Sequence, residues 1–530
     1  MDNTKKFLLI DSQVLQTNAW TRGMGRYLAA LIMGIYQNHN HKKVILVFNE
    51  NFVLPEECKD VLKAVAPDAK QVFLPFYGGL SARIEEKNTE LLDKYIQQES
   101  LEGSVFISGS IFSFDYAPIF PSKTKNTCIF YDMIPLKHWD VFYNYFPAQE
   151  YFRRYKHLYT CETIFSISDT VKQDLINVLG IREDRIVNIS GAEIPDFLNI
   201  DNDKLDQTVA KKPYRYIFLP GGNSPHKNML RAIRGFDKFN GEFGDTFKLV
   251  ITSNYSEINI NRMLALSNNI VLTGNVPDSE LHNLYKNAEI VMFPSLDEGL
   301  GLPILEAVGY DLKIACSKIP IFQEISKNSF YFFDPESDDD ISRALREAIT
   351  EDGWNTKLES YGRIKSTFTW KNSGQKLLST TNIVNKTLND RSTKRSIVLE
   401  YTGDMPTLKK LSSIVGAQTS IKDIKLYTDL LSERLRQPDQ IPLIFSYFIP
   451  TFDISDAPHK AKKTSTDVIL TKSSCLSIPV GLALKANFMG SHKEVSIAVS
   501  NFVNSLETRN DEKELVYKLI NEVSSRLVAN

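Results

Sequence analysis

Short apolar runs that alternate with amphipathic segments are the feature that most restricts the fold of this 530-residue chain. Amphipathic segments such as 27–36 and 171–179 separate runs that are rich in β-branched and aromatic residues, as strands are. In the first part of the chain these runs occupy residues 7–10, 44–48, 105–108, 127–131, 164–167 and 186–189. Because strands buried on both faces read as continuous apolar runs, the pattern predicts a mostly parallel sheet with helices on both faces.

A polar segment that ends in proline, residues 201–213, interrupts this alternation and is typical of a linker. After it, a second series of strand-like runs occupies residues 216–219, 248–252, 270–273, 290–293, 313–316 and 330–333. A chain of this length exceeds one compact core, so we predict α/β domains at 1–200 and 201–386.

The remaining part, residues 396–530, carries a pattern of its own. Strand-like runs occupy 397–401, 443–448, 468–470 and 495–499, and helical patterns occupy 421–435 and 512–527. It contains no catalytic signature that we identify. We therefore predict an appended α/β domain of unknown role, separable from the chemistry, that mediates self-association, partner docking or acceptor recruitment.

Charge and cysteine content exclude several classes of protein. Lys+Arg number 62 and Asp+Glu 64, which leaves a net charge of −2 and no global field to hold a nucleic-acid backbone. The five cysteines are widely spaced without a CxxC pair, which is typical of buried thiols in a reducing compartment. No run approaches the roughly 20 apolar residues that cross a bilayer. The sequence predicts a cytoplasmic location, with peripheral association at the inner face of the membrane left open.

The densest chemical signal is residues 294–307, PSLDEGLGLPILEA. A strand-like run precedes it, and a helix with proline in its first turn follows the glycines. Free N–H groups at a helix start attract phosphate, and Gly299 and Gly301 let a ligand approach the backbone. Glu298 and Glu306 can accept hydrogen bonds from vicinal hydroxyls. Each carboxylate alone also fits a plainer role, as a solvated loop acid or a complement to the helix dipole; the combination favours a binding site.

A glycine-rich turn between a strand and a helix forms a second signal, at residues 219–228, LPGGNSPHKN. Open parallel sheets bind ligands at such turns. Lys227 could neutralise a diphosphate there, and Asn228 could cap or orient the turn. By itself the segment also fits an ordinary loop with a solvated lysine, and the 294–307 segment shifts the balance toward a site.

Three weaker signals each fit two interpretations, one functional and one structural. Residues 22–27, RGMGRY, are not a dinucleotide fingerprint, because they lie too far past the strand and lack a third glycine; a loop facing a cleft and a helix start both fit. Asp132 follows a buried strand, where sites form, but also fits a turn or helix cap. Asp338, Asp339 and Asp340 precede a helical run, so helix capping is favoured over a metal site.

In this order, the segments resemble the retaining glycosyltransferases of family four, which have the GT-B fold. EGLGLPILEA matches the E-x7-E signature of that family, and FLPGGNSPHKN matches its G…K-N loop. YDMIPL with FSISDTVKQDL matches its middle segment, and FTWKNSGQKLL matches a closing helix at about 368–386. The resemblance covers residues 1 to about 386. It implies two Rossmann-like domains that face each other across a cleft, with the acceptor on the first and the nucleotide-sugar held mainly by the second.

The resemblance also assigns roles to residues. Glu298 would bind the hydroxyls of the donor sugar, Glu306 the nucleotide ribose and Lys227 the diphosphate. The residues assigned to catalysis are Glu298, Asp132 and Lys227. Those assigned to donor binding are Gly222, His226, Lys227, Asn228, Gly299, Leu300, Gly301, Leu302 and Glu306. Gly23 and Gly25 would form a loop near the diphosphate and the acceptor.

Two positions depart from the family pattern. Many members have a histidine where Tyr131 stands and an arginine where Gly222 stands, five residues before Lys227. We expect a nearby basic group, His226, to compensate for the missing arginine.

The activity that the resemblance implies is transfer of a hexose from a nucleotide-diphosphate sugar, with retention and without a metal or other cofactor. The acceptor would be a glycan or a lipid-linked glycan in polysaccharide or surface-glycan synthesis. Similarity of the middle segment to mannosyltransferases favours GDP-mannose as the donor. A catalytically inactive GT-B scaffold and another GT-B enzyme, such as a nucleotide-sugar epimerase or a phosphorylase, are the alternatives.

Overall fold

The computed structural model describes residues 7–21, 23–38, 44–138, 142, 151, 154–194, 212–326, 328–352, 354–387, 395–403 and 443–451. These residues form two parallel sheets and one antiparallel pair of strands. The predicted linker up to residue 211 lies outside the described residues, as do the strands predicted at 468–470 and 495–499 and the helices predicted at 421–435 and 512–527.

The first sheet has seven parallel strands in the order β3-β2-β1-β4-β5-β6-β7. The strands are β1 Leu8–Asp11, β2 Val44–Asn49, β3 Lys70–Leu74, β4 Val105–Ser108, β5 Lys125–Phe130, β6 Thr163–Ser166 and β7 Ile186–Asn188. The α-helices of this part are Gly23–Tyr36, Glu56–Val65, Ala82–Gln98, Ile134–Lys137, Lys156–Thr160 and Asp169–Asn177.

Both faces of this sheet are covered, as the continuous apolar runs predict. Leu8 and Ile10 of β1 pack in one core with the buried face of helix Gly23–Tyr36. Leu9, which points the other way, packs in a second core with Ile96 of helix Ala82–Gln98. Such alternation between two cores is what a period of two residues produces in a strand.

The second sheet has six parallel strands in the order β10-β9-β8-β11-β12-β13. The strands are β8 Arg215–Pro220, β9 Phe247–Thr252, β10 Ile270–Gly274, β11 Ile290–Phe293, β12 Ile314–Ser317 and β13 Tyr331–Phe333. The α-helices of this part are Met229–Glu242, Glu257–Leu264, Asp278–Lys286, Leu302–Gly309, Pro320–Ser326, Asp338–Thr350, Trp354–Thr367 and Trp370–Thr387. The prediction of two parallel-sheet, Rossmann-like units is confirmed.

The last of these helices returns to the first sheet's side of the molecule. A Cβ atom on Gly34 would lie 2.0 Å from the carbonyl oxygen of Trp370, and one on Gly374 would lie 2.2 Å from that of Gly34. Glycine at both positions therefore lets helix Trp370–Thr387 touch helix Gly23–Tyr36 backbone to backbone. The indole of Trp370 also donates to the carbonyl of Glu193 over 2.8 Å.

Beyond this helix the structure describes one antiparallel pair, β14 Arg395–Gly403 with β15 Leu443–Thr451, in which Leu399 faces Tyr447. Both strands were expected and are longer than their apolar runs. A search of the described helices finds none with the length and apolar content that a bilayer crossing requires.

Candidate active site

Loops that follow strands of the two sheets meet at one place. The segment after β11 contacts the segments after β5 and β6, so the carboxyl ends of both sheets face a common cleft. Open parallel sheets place ligand sites at these ends. The predicted segments 294–307 and 219–228 both lie here, the second directly after β8.

The turn after β11 is shaped by two glycines with different tasks. Gly301 has φ +80°, a left-handed conformation, and it precedes the helix Leu302–Gly309 with its proline in the first turn. A Cβ atom on Gly299 would lie 2.4 Å from the carbonyl oxygen of Tyr131. Glycine at 299 is thus required by close contact with the first sheet's loop, whereas the sequence suggested an approach by a ligand.

Glu298 lies in the turn after β11, and its side chain is 13% exposed. Its Oε1 accepts from Lys227 Nζ and from Ser295 Oγ, each over 2.6 Å. Burial disfavours its ionised form, but the Lys227 ammonium, His226 and the Ser295 hydroxyl together outweigh burial and hold the pKa of Glu298 below its ordinary value. Glu298 is therefore a carboxylate at neutral pH, paired with the lysine that was expected to bind a diphosphate.

Glu306 lies one turn into the helix Leu302–Gly309, where the hydroxyl of Tyr285 donates to its Oε2 over 3.0 Å. Burial raises the pKa of Glu306, although the nearby Arg26 guanidinium opposes the shift. Arg26 itself crosses from the first sheet's side to Asp278, at 2.8 and 2.9 Å from its two carboxylate oxygens. Sequence reasoning missed Arg26, although the quoted 22–27 segment contains it.

Asn228 and Gly222 support the lysine. Asn228 adopts a left-handed conformation with φ 57°, and its Nδ2 donates to the carbonyls of Pro294 and Pro335 over 3.1 and 2.7 Å. It therefore ties the 219–228 turn to the 294–301 turn, as an orienting residue would. A Cβ atom on Gly222 would lie 3.4 Å from the Lys227 side chain, so this glycine lies beneath that side chain.

His226 does not compensate as a cation. Burial lowers its pKa to about 4, although Glu298 opposes the shift, so the imidazole is neutral at pH 7. Its ring stacks against Phe142 with centroids 5.8 Å apart. A neutral imidazole does not carry the charge of the missing arginine, and any other compensating role of His226 stays a prediction.

Asp132 makes the turn contact that one of its two interpretations predicted, and its role in a site stays a prediction. Its Oδ1 accepts over 2.9 Å from the backbone N–H of Ile134, the first residue of the short helix Ile134–Lys137. The same side chain feels the charges of Asp297 and Glu298 across the cleft. Burial, helped by these two carboxylates, raises the pKa of Asp132 to about 6.

Sequence reasoning missed Lys137, His138 and Asp297, which meet across the cleft. Asp297 Oδ2 lies 2.6 Å from Lys137 Nζ and 3.2 Å from His138 Nε2. Ser168, which caps the helix Asp169–Asn177, donates from Oγ to the carbonyl of Gly299 over 2.7 Å. The only signal in the sequence was position, since Lys137 and His138 directly follow YDMIPL and Asp297 directly precedes Glu298.

Two other predicted features resolve to helix starts. Gly23 and Gly25 lie in the first turn of helix Gly23–Tyr36 and not in a loop, so the helix-start reading holds and the loop assignment is wrong. A Cβ atom on Gly25 would lie 2.5 Å from the carbonyl of Ala19, which leaves no room for a side chain. Ser337 caps the helix Asp338–Thr350 by accepting from the N–H of Asp340 over 3.2 Å.

Each of the three aspartates at that helix start forms an ion pair with an arginine or lysine side chain. Asp338 contacts Arg234, Asp339 contacts Lys238 and Asp340 contacts Arg343, at 2.9, 2.8 and 2.6 Å. The aspartates thus lie in the first turn of the helix, where negative charge complements the helix dipole, and Ser337 is the cap; the prediction that they precede and cap a helix starting at 341 is wrong in that detail. Within the described residues, no group of three or more His, Cys, Asp or Glu side chains is placed to hold a metal ion.

Residues 201–365 match the family Glycosyl transferases group 1. The chain carries a group 1 glycosyltransferase domain. The matched residues include Lys227, Glu298 and Glu306, and the match supports the resemblance to glycosyltransferases at the level of the group 1 family.

Curated relatives of the chain extend the similarity beyond the group 1 domain. The serotype-specific mannosyltransferase WbdA of Escherichia coli is 25% identical over 396 residues, which cover 69% of this chain and 46% of that protein. The O-antigen chain mannosyltransferase RfbU of Salmonella typhimurium is 26% identical over 191 residues, 35% of this chain and 50% of that protein. The chain thus spans less than half the length of WbdA.

Solved structures agree with the fold. A glycosyltransferase from Rickettsia africae superposes with a TM-score of 0.50 at 15% identity, covering 72% of this chain and 99% of that one. The Anabaena protein HepE, solved in complex with UDP and glucose, superposes with a TM-score of 0.51 at 12% identity. The superposition covers 72% of this chain and 100% of HepE. The first sheet, together with the second sheet that lies in the group 1 domain, forms a GT-B fold.

Proposed function

We propose that the protein is a retaining glycosyltransferase that moves a hexose, mannose, from a nucleotide-diphosphate sugar to a glycan or lipid-linked acceptor in surface polysaccharide synthesis. The observation that carries the proposal is the Lys227–Glu298 ion pair beside the start of helix Leu302–Gly309, with Asp132 facing it from the other sheet. The O-antigen mannosyltransferases among the relatives support mannose and this pathway class.

The reaction breaks the bond between the anomeric carbon and the diphosphate, and it forms a bond from an acceptor oxygen to that carbon. Negative charge grows on the leaving diphosphate, and the Lys227 ammonium and the free N–H groups near Leu302 would stabilise it. The acceptor proton passes to the departing phosphate oxygen on the same face of the sugar, so configuration is retained.

Glu298 would serve the sugar. It is ionised at neutral pH and lies beside the lysine, so its carboxylate can accept from sugar hydroxyls and face the positive charge that develops at the anomeric carbon. Glu306, one turn into the helix, would accept from the ribose hydroxyls. Because the leaving group is a diphosphate whose charge Lys227 and backbone N–H groups would meet, the site would work by positioning and electrostatics rather than as a two-carboxylate hydrolase.

The proposal also includes a cellular location and a role for residues 396–530. We place it in the cytoplasm, with peripheral attachment at the inner face of the membrane where a lipid-linked acceptor would be met. Residues 396–530 would serve self-association or docking of a partner.

The test is donor turnover. The purified protein is incubated with GDP-mannose, UDP-glucose and UDP-N-acetylglucosamine, with and without a lipid-linked mannose acceptor, and nucleoside diphosphate release is followed. We expect release from GDP-mannose that the acceptor accelerates, and an axial anomeric linkage by NMR. Glu298→Gln serves as the inactive control.

Two outcomes would contradict the proposal. Binding of a nucleoside diphosphate without turnover of any donor would indicate an inactive GT-B scaffold. Conversion of the donor to an epimer without acceptor would indicate a nucleotide-sugar epimerase.

A further inference from the structure

We infer that Asp297 is a positioning residue that couples closure of the cleft to the placement of Glu298. The inference rests on the proposed function and adds a residue to it. The two carboxylate oxygens of Asp297 face in different directions. Oδ2 is held by the first sheet's loop, through Lys137 Nζ at 2.6 Å and His138 Nε2 at 3.2 Å, whereas Oδ1 accepts from the backbone N–H of Glu298 over 2.9 Å.

The carboxylate is poised to carry charge in this role. Asp297 is 10% exposed and Lys137 12% exposed, so water screens the pair little. Burial raises the pKa of Asp297, but hydrogen bonding from His138 and the Lys137 ammonium lower it below its ordinary value. Asp297 and Lys137 therefore stay an ion pair. Because Asp297 also accepts from the N–H of Glu298, this pair holds the Glu298 backbone in place.

The negative charge of Asp297 has its neighbours from the first sheet only when the cleft is closed. Lys137 also contacts Asp174 over 2.8 Å on its own side. The titratable and charged groups that face Asp297 are Lys137, His138 and Asp132 from the first sheet's loops and Glu298 and His226 from the second. If the sheets separated, Asp297 would lose its contacts with Lys137 and His138, and Lys137 would keep one carboxylate. Opening thus leaves a carboxylate beside Glu298 without its partners, which disfavours the open form.

A contact that merely joins the two halves would act differently. Glu324 also crosses the cleft, where its carboxylate accepts from the N–H groups of Asp169 and Thr170 over 2.9 and 2.8 Å. It lies in helix Pro320–Ser326 and does not contact Glu298. Glu324→Gln is therefore a matched control that weakens a cross-cleft contact without touching the donor-site carboxylate.

The first experiment compares steady-state kinetics of Asp297→Asn, Lys137→Met, Lys137→Arg and Glu324→Gln with GDP-mannose as donor. We expect Asp297→Asn and Lys137→Met to lower kcat about 10- to 100-fold while KM for the donor changes less than threefold, because Glu298 is misplaced in the transition state. Lys137→Arg keeps the charge and should recover most of kcat. Glu324→Gln should leave kcat within about threefold.

The double variant Asp297→Asn/Glu298→Gln shows whether the two residues act as one unit. If Asp297 acts through Glu298, the double variant should be no slower than Glu298→Gln alone. Additive losses would overturn the inference, as would equal losses of kcat in Asp297→Asn and Glu324→Gln.

A second measurement needs no turnover. Amide hydrogen exchange of residues 295–301 in the ligand-free full chain should rise in Asp297→Asn and Lys137→Met, and stay near wild type in Glu324→Gln. Unchanged exchange would overturn the inference whatever the activity. Raised exchange in a protein that turns over no donor would leave the coupling supported and reject the proposed function.

Discussion

The ammonium of Lys227 lies 2.6 Å from Oε1 of Glu298, and the two side chains are 26% and 13% exposed. The cation assigned to the diphosphate and the carboxylate assigned to the sugar are thus direct neighbours. A partly buried pair of this kind is stronger than a surface pair. The proposed diphosphate and sugar subsites would therefore be electrostatically coupled, so a change in either residue should act on both.

Donor affinity should depend on Lys227. Lys227→Ala removes a charge-assisted contact, which costs about 1.5–3 kcal/mol, or about 10- to 150-fold in affinity for the nucleoside diphosphate. It also leaves the Glu298 carboxylate without its cation, so Lys227→Ala/Glu298→Gln should recover part of the loss. Calorimetry measures both. Lys238→Ala, which breaks an exposed pair with Asp339, is the control; unchanged affinity in Lys227→Ala would remove Lys227 from the diphosphate site.

Glu298 and Glu306 should fail in different ways. Glu306→Gln loses a contact to ribose, which does not change during the reaction, so KM should rise more than kcat falls. Glu298→Gln loses a contact beside the carbon where charge develops, so kcat should fall about 100-fold or more.

Nucleotide affinity separates the two variants further. Glu298→Gln frees the Lys227 ammonium from its pair, so the nucleoside diphosphate should bind at least as tightly as it does to the wild type. Glu306→Gln should weaken the same affinity. Near-normal turnover by Glu298→Gln would be incompatible with its sugar-site role.

Asp132 should lower stability at neutral pH. Its pKa is about 6 in the folded protein against an ordinary 3.8, so the folded state binds this proton more tightly than the unfolded state. The contribution to stability is therefore present below about pH 4 and is lost as pH rises to about 6 and beyond. Asp132→Asn keeps the acceptor for Ile134 and removes the charge. It should raise the free energy of unfolding at pH 7 by roughly 1–3 kcal/mol.

The same substitution should change little at pH 4, and it should lower kcat at pH 7. Urea denaturation at both pH values and steady-state kinetics measure the two effects. A stability difference that is equal at pH 4 and pH 7 would show that Asp132 does not titrate as the structure indicates.

Turnover should not require a divalent metal, because the Lys227 ammonium and the N–H groups near Leu302 would neutralise the proposed diphosphate. We expect full activity in excess EDTA. Loss of activity that Mn²⁺ or Mg²⁺ restores would place an acidic metal site in the protein, and titration of that metal into the ligand-free chain would then give its affinity.

The part of the chain after residue 395 should be separable from donor chemistry. A chain truncated after Asp390 retains both parallel sheets and helix Trp370–Thr387. It should bind the nucleoside diphosphate with unchanged affinity and turn over the donor slowly. Circular dichroism controls for folding; a folded truncated chain that fails to bind nucleotide would mean that residues beyond 390 complete the donor site.

The strands that the sequence predicted best are those buried on both faces. Runs such as 290–293 carry their own signal, because every residue in them is apolar and the strand Ile290–Phe293 is buried throughout. β3 was missed because it is an edge strand: in Lys70–Leu74 only Val72 is buried, so its residues show no continuous apolar run. The domain boundaries at 200 and 386–396 stay predictions.

The sequence by itself determined the class of fold and the residue types at the site, because strand burial, glycine turns and the Glu298–Glu306 spacing are local patterns. Only the tertiary structure decided which charges meet. Lys227 and Glu298 are 71 positions apart, and His138 and Asp297 are 159 apart. Burial then set the protonation of His226 and Asp132, since desolvation depends on the atoms packed around a group and those atoms come from distant segments.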